Sequence, residues 1–188
     1  MGTFGWIILA VIVVVVLLFI VIYNRLVGLR QRTSQSWSDI SVQLKLRHDL
    51  VPNLVETVKG YAAHERGTLE AVVNARNAAV AAASPAAQAQ AENVLTGALR
   101  QLFALAESYP NLKANENFKA LQDELSDIEN KIAASRRFFN NAVSEYNSAI
   151  QQFPAVLIAG TFGFTAQGFF ELDEGERAAV NTVPSVKF

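Results

Sequence analysis

The residues best suited to chemistry lie in one stretch of the chain, Arg47 to Glu65, which reads RHDLVPNLVETVKGYAAHE. This stretch holds both histidines of the chain, three carboxylates and a proline. Histidine next to carboxylates can transfer protons, and with further ligands it can bind a metal ion. The spacing of these residues decides whether either kind of site is possible.

The spacing does not fit a metal site. His48 and His64 are sixteen positions apart, so on a straight helix they lie about 24 Å apart and point in nearly opposite directions. Neither histidine has a glutamate three residues before it, as di-metal helical bundles require, and no second histidine completes a zincin motif. The sequence therefore predicts no metal ligands and no cofactor.

Motifs for nucleophilic catalysis and phosphate binding are also missing. The chain has no Gly-x-Ser-x-Gly elbow, no Gly-x-x-x-x-Gly-Lys loop, no Gly-x-Gly-x-x-Gly fingerprint and no cysteine. No catalytic residue is predicted. The alternative that remains open is a ligand-binding protein or hydrolase with a site near His48, Asp49 and Glu56.

The same stretch has the pattern of an amphipathic helix. At 100° per residue, Asp49, Asn53 and Glu56 share one face, and an apolar face lies beside it. Pro52 lies inside this pattern and removes the hydrogen bond to the carbonyl of His48, which predicts a kink, with a full turn as the alternative. A polar side chain of the His48–Asp49 pair could then satisfy the free carbonyl.

The elements around this helix begin with an apolar run from Phe4 to Tyr23, FGWIILAVIVVVVLLFIVIY, which contains no charge. Its length of about 30 Å matches the hydrocarbon core of a bilayer. Arginines 25, 30 and 32 follow the run rather than precede it, which is the reverse of a signal peptide. Residues 1–23 are therefore predicted to be an uncleaved, single-pass anchor, with the N-terminus outside and the body in the cytoplasm.

Residues 24–152 are predicted to form an antiparallel up-and-down bundle of three long helical arms. The first arm runs to Arg66, where Gly67 and Thr68 suggest a C-cap and a new N-cap. The second arm runs to about residue 108 and breaks at Ser84-Pro85, which would make four helices.

The third arm is predicted as a long helix over about 116–152, capped by Asn115 and stopped by Pro154. Apolar residues recur along it at alternating spacings of three and four, which is typical of a left-handed bundle or coiled coil. The members of this stripe are Phe118, Leu121, Leu125, Ile128, Ile132, Ser135, Phe139, Ala142, Tyr146, Ala149 and Phe153.

Residues 153–188 begin with eighteen uncharged residues, FPAVLIAGTFGFTAQGFF. Proline and three glycines disfavour a second membrane span. We expect this segment to fold back over the bundle end or to offer an apolar surface to a sister subunit or partner. The candidate patch comprises Leu157, Ile158, Phe162, Phe164, Phe169 and Phe170. The later ELDEGE and VPSVKF segments are predicted to lie over the surface.

Several long motifs resemble the bacterial LemA family: YNRLVGLRQRTSQSWSDISVQLKLRHDLVPNLVETVKGYAAHE, ALRQLFALAESYPNLKANENFKALQDEL, SRRFFNNAVSEYNSAIQQFP and the final Val-Lys-Phe. The resemblance implies a membrane-anchored, all-helical bundle with no established enzymatic activity. It offers no catalytic residues to transfer. The best-matching positions are candidate contact or fold-defining residues: Trp37, Arg47, His48, Asp49, Pro52, Asn53 and Tyr61.

The charge balance narrows the choice of partners. With 16 basic and 17 acidic side chains, the chain has no electrostatic basis for binding nucleic acid. The predicted anchor, the long apolar stripe of the third arm and the missing catalytic motifs lead us to expect a non-enzymatic scaffold or interaction protein of the bacterial cell membrane. Its expected partners are the lipid bilayer, through residues 4–23, and either copies of itself or another membrane protein.

Overall fold

The computed structural model describes residues 2–170, and within that range every regular secondary-structure element is an α-helix, which confirms the predicted fold class. The predictions for ELDEGE and VPSVKF lie outside the described residues. The helices are α1 (Thr3–Lys59), α2 (Arg66–Ala81), α3 (Pro85–Ala106), α4 (Pro110–Ala114), α5 (Glu116–Gln151) and α6 (Val156–Ala159).

Helix α1 is 57 residues long and begins with the apolar run. None of the most apolar 18-residue window is buried, and its mean hydropathy is 3.5. Of the helices between residues 2 and 170, this is the one long and apolar enough to cross a membrane. The helix also continues through Pro52 without a break, so the proline does not make a full turn.

The turn between the first two helices lies earlier than predicted. Helix α1 ends at Lys59, whereas Gly67 and Thr68 lie inside the first turn of α2. The prediction of caps at those two positions was therefore wrong. The chain turns early because Ala62 is 1% exposed and its N–H bonds to the carbonyl of Val58 at 2.8 Å, which holds the turn against the core.

The predicted caps of α3 and α5 are confirmed. Ser84 Oγ accepts a hydrogen bond from the N–H of Ala87 at 3.2 Å, and Pro85 is the first residue of α3. Asn115 Oδ1 accepts a hydrogen bond from the N–H of Phe118 at 2.9 Å, immediately before α5. Each cap satisfies one backbone donor that the first helical turn leaves free.

The chain divides into two compact units, to which α1 and α5 both contribute. Of the described residues, unit 1 comprises 2–38 and 137–167, and unit 2 comprises 39–136 and 168–170. The core of unit 1 contains Leu26, Tyr146, Ala149, Ile150, Ala155, Ala159 and Phe164. The core of unit 2 includes Val51, Leu54, Val58, Leu69, Val72, Leu95, Leu99, Leu102, Leu112, Phe118 and Leu125.

Most of the apolar stripe of α5 is buried, as its spacing predicts. Leu121 and Ser135 are half-buried, and Phe153 is 80% exposed because α5 ends at Gln151 and the chain turns there. The stripe therefore supplies core residues to each unit, and its last member belongs to a surface.

Candidate functional site

A buried group of polar and charged residues lies in unit 2, where α1 meets α3. Arg47 is 1% exposed, Glu92 is 4% exposed and His48 is 7% exposed. Nη1 of Arg47 donates to Oε2 of Glu92 at 3.0 Å, and Nε2 of His48 hydrogen-bonds Oε1 of the same carboxylate at 2.7 Å. One carboxylate thus holds two adjacent side chains of α1, and this pairing offsets the cost of burying charge.

Further polar groups complete the surroundings of Glu92 and Arg47. Nε2 of Gln88 donates to Oε1 of Glu92 at 2.8 Å and to the carbonyl of Ala79 at 3.0 Å. Nη2 of Arg47 donates to Oγ1 of Thr96 at 2.7 Å and also lies 2.8 Å from Oε1 of Glu129. The network therefore ties together all four long helices of unit 2.

The hydrogen bonds of this network hold the helices of unit 2 together, which fits a stabilising role better than a catalytic one. Both oxygens of the Glu92 carboxylate already accept hydrogen bonds from the protein. A general base needs an oxygen or nitrogen that can reach a substrate proton. The Glu92 carboxylate is occupied in holding Arg47 and His48 in place.

The backbone carbonyl that Pro52 leaves free has a partner from another helix. Nε of Arg76, on α2, donates to the carbonyl oxygen of His48 at 2.9 Å. The sequence correctly indicated that a side chain could satisfy this carbonyl, but it pointed to the local His48–Asp49 pair. Arg76 fills that role because α2 folds back against α1.

Two of the three carboxylates of the opening stretch are exposed, and the third, Glu65, is half-buried and accepts a hydrogen bond from the hydroxyl of Tyr109 at 3.2 Å. Asp49 is exposed and pairs with Lys45 at 2.5 Å; this hydrogen bond lowers the pKa of the Asp49 carboxyl below its ordinary value. Glu56 is exposed and pairs with Lys59 at 3.2 Å. The structure thus brings His48 to Glu92, whereas Asp49 and Glu56 bind local lysines.

The remaining candidate positions have structural surroundings. Tyr61 is 43% exposed, and its hydroxyl accepts a hydrogen bond from Nδ2 of Asn115 at 3.0 Å, which links the turn after α1 to the start of α5. In unit 1, the ring of Trp37 packs against that of Phe139 with 5.4 Å between centroids. Asn53 is exposed, and its backbone carbonyl accepts a hydrogen bond from the hydroxyl of Thr57.

A cleft of about 840 Å³ lies beside the charged group in unit 2. Its polar lining includes Arg47, Glu92, Thr96, Arg100, Ser126 and Glu129. Nε of Arg47 is buried and has no hydrogen-bond partner among the described residues. A cleft of this size with a few polar groups has the dimensions of a small-molecule site.

The candidate apolar patch is divided by the structure. Leu157, Phe162 and Phe169 are 68%, 46% and 40% exposed, and Ile158 is half-buried. By contrast, Phe164 and Phe170 are 3% and 2% exposed. The guanidinium of Arg30 lies 5.0 Å from the centre of the Phe164 ring, so Phe164 serves the core of unit 1 rather than a surface.

Sequence reasoning missed the partners of Arg47 and His48. Gln88, Glu92 and Thr96 follow one another at intervals of four residues on α3. Leu95 lies seven residues after Gln88, and Leu99 lies seven residues after Glu92. Both leucines are buried in the core of unit 2. A polar series aligned with a buried stripe was the available signal for this network.

Between residues 2 and 170 there is no group of three or more histidine, aspartate or glutamate side chains placed to hold a metal ion.

The chain is similar in sequence to known bacterial proteins. Magnetosome protein MamQ of Magnetospirillum gryphiswaldense is 25% identical over 174 residues, which cover 79% of this chain and 64% of that protein. Protein LemA of Metamycoplasma hominis is 27% identical over 163 residues, which cover 85% of this chain and 73% of that protein. The chain thus spans less than two thirds of the length of the magnetosome relative.

The family model described as the LemA family matches residues 36–188. This match includes the buried network of Arg47, His48 and Glu92, the Pro52 position and all of α2 to α6. It covers well over half of the chain, and it agrees with the motifs seen in the sequence. The protein belongs to the LemA family.

Proposed function

We propose that this protein is a non-enzymatic, single-pass scaffold of the bacterial cell membrane that acts by binding copies of itself or another membrane protein. The observation that carries the proposal lies in unit 1. The exposed apolar part of α1 passes without a break into a packed body, where Leu26 contacts the core formed with Tyr146 and Ile150. A folded body attached directly to a lipid-crossing helix is suited to holding partners at a membrane.

The proposed orientation places the N-terminus outside and the body in the cytoplasm. Arg25, Arg30 and Arg32 follow the apolar run, and positive residues favour the cytoplasmic side. The chain contains no cysteine, so Gly2→Cys and Ser34→Cys would each create one labelling site. A membrane-impermeant maleimide should label intact cells at position 2 and not at position 34, and the opposite pattern would reverse the orientation.

The absence of a catalytic role is supported by the way that the polar side chains are used. The buried charges of Arg47 and Glu92 pair with each other. The exposed carboxylates of Asp49 and Glu56 pair with neighbouring lysines. These four side chains therefore have partners that explain their positions through stability.

Co-purification tests the scaffold proposal directly. Two full-length copies with different tags would be expressed together at native abundance, solubilised in mild detergent and purified through one tag. Immunodetection of the second tag and mass spectrometry should reveal a second copy or one reproducible membrane protein. An unrelated single-pass protein with the same tag is the control. Recovery of neither above that control would refute the proposal.

The cleft favours a second candidate function, which is the binding of a small ligand. Arg47 is among its lining residues, the buried Nε of Arg47 has no hydrogen-bond partner between residues 2 and 170, and the cleft has the volume of a ligand site. Native mass spectrometry of the full-length protein should then show a retained small molecule. Ser126 lines the cleft and Glu124 does not, so the adduct should vanish in Ser126→Trp and persist in Glu124→Trp. A protein without any adduct would count against this function.

A further inference from the structure

Exposed apolar side chains cluster immediately after α5 in unit 1. Phe153, Val156, Leu157 and Phe162 are 80%, 49%, 68% and 46% exposed. No charged residue occurs between positions 153 and 170. Large apolar side chains grouped in this way on a surface mark a site of interaction rather than a face kept in water.

The backbone that carries these side chains is held firmly. Ala155 and Ala159 are buried in the core of unit 1. Further along, the side chain of Asn147 accepts a hydrogen bond from the N–H of Gln167 at 2.8 Å and donates to its carbonyl at 2.9 Å. The exposed residues therefore lie on a segment that is fixed at both ends.

A glycine separates the exposed ring from the buried one. Gly163 has a φ of +70°, a conformation that glycine adopts without strain. On one side of it Phe162 is exposed, and on the other Phe164 is 3% exposed. The turn at Gly163 thus places Phe164 in the core of unit 1 and leaves Phe162 on the surface.

The ring of Phe162 packs against two aromatic rings of α1, which shows its level along that helix. Its centroid lies 5.4 Å from that of Phe19 and 5.5 Å from that of Tyr23. Tyr23 ends the apolar run, and Phe19 lies one turn, about 6 Å, further inside it. The Phe162 ring is therefore level with the end of the membrane-crossing segment.

The next aromatic ring lies on the side toward the arginines. Phe164 also contacts Tyr23, with 5.5 Å between centroids, and the guanidinium of Arg30 lies 5.0 Å from its centre. Arg30 is seven residues, about 10 Å, beyond Tyr23 on the same helix. Along α1, Phe162 thus lies beside the end of the apolar run, whereas Phe164 lies beside the stretch from Tyr23 to Arg30, which contains the first cation of α1, Arg25.

We propose that the segment from Phe153 to Phe162, including α6, inserts into the boundary between lipid headgroups and acyl chains beside α1. The segment would give the protein a second lipid contact in addition to its anchor. Helix α6 has four residues, about 6 Å, so it is too short to cross a bilayer and suits an interfacial position. Continuity with the exposed apolar face of α1 selects lipid, rather than a protein partner, as the occupant.

The inference rests on the proposed anchor, and one experiment separates the two. Single-cysteine variants of the full-length protein would carry a nitroxide spin label in vesicles of phosphatidylethanolamine and phosphatidylglycerol. Leu157→Cys tests the segment, Val14→Cys is the lipid reference, and Ser34→Cys, on the exposed side of α1 in unit 1, is the water reference. These three positions are exposed, so none of the substitutions removes a core side chain.

The readout is the ratio of collisions with oxygen, which concentrates in lipid, to collisions with a water-soluble nickel chelate. The ratio should be above one at Leu157 and Val14 and below one at Ser34. A ratio at Leu157 that matches Ser34, with Val14 in lipid, would refute the inference and keep the anchor. Poor access of both reagents at Leu157 would show that protein covers the segment, which also refutes it. A water-like ratio at Val14 would refute the anchor itself.

Discussion

The buried pair of Arg47 and Glu92 makes a quantitative prediction about stability. Glu92→Gln keeps the shape of the side chain but removes the charge that balances Arg47. The Arg47 side chain is 2% exposed, so water cannot replace the lost partner. Breaking one side of a buried ion pair costs about 3–5 kcal/mol.

The structure places the expected loss at the lower end of that range. Glu129 remains 2.8 Å from Nη2 of Arg47 and can offset part of the uncompensated charge. Its side chain is 38% exposed, so the compensation is weakened by solvent. We expect a loss of about 3 kcal/mol, which for a chain of this size lowers the Tm by about 6–12 °C.

The assay is thermal and urea unfolding of the full-length protein in detergent micelles, followed by circular dichroism. Glu56→Gln is the matched control, because Glu56 is exposed and pairs only with Lys59 in the described network; its effect should stay within about 0.5 kcal/mol. The double variant Arg47→Met with Glu92→Met should be more stable than Glu92→Gln, because it buries no unpaired charge in this pair. A Glu92→Gln protein as stable as the wild type would refute the stabilising role of the buried Arg47–Glu92 ion pair.

Three further predictions concern local contacts. Arg76→Ala should cost about 1–3 kcal/mol in urea unfolding, because it leaves the buried carbonyl of His48 without its donor, and an unchanged midpoint would contradict that role. Ser84→Ala should cost about 1 kcal/mol through loss of the α3 cap, while Ser84→Asp should retain most of the stability; equal losses in both would argue against capping. The carboxyl of Asp49 has a lowered pKa through its bond with Lys45, so its contribution is present above the unfolded-state pKa and is lost as the pH falls through the folded-state pKa. NMR titration of Lys45→Ala should show the Asp49 pKa rising toward its ordinary value, and no change would refute the cause.

Some features were predictable because they depend on neighbours in the chain. The caps at Ser84 and Asn115 each use a side chain to bind a backbone N–H three residues later. The apolar run of α1 depends only on length and composition, and the stripe of α5 only on helical period. The all-α fold and the family resemblance follow from such local patterns.

The position of the first turn and the partners of the buried charges were not predictable in this way. Local rules placed the turn at Gly67, but burial of Ala62 and Leu69 moved it to residues 60–65. The sequence offered Arg47 and His48 as candidate contact or fold-defining residues but did not identify Glu92, 44 to 45 positions away, as the partner of both. Whether a polar side chain is buried depends on which helix faces it.

The sequence by itself determined a helix long and apolar enough to cross a membrane, the helical body and the absence of known catalytic motifs, because each is recorded in residue types and short spacings. Only the tertiary structure decided that Arg76 binds the carbonyl freed by Pro52, that Phe164 is buried, and that Phe162 lies beside Phe19. These contacts join residues far apart in the chain. Their energies depend on burial and geometry, which exist only once the helices have packed.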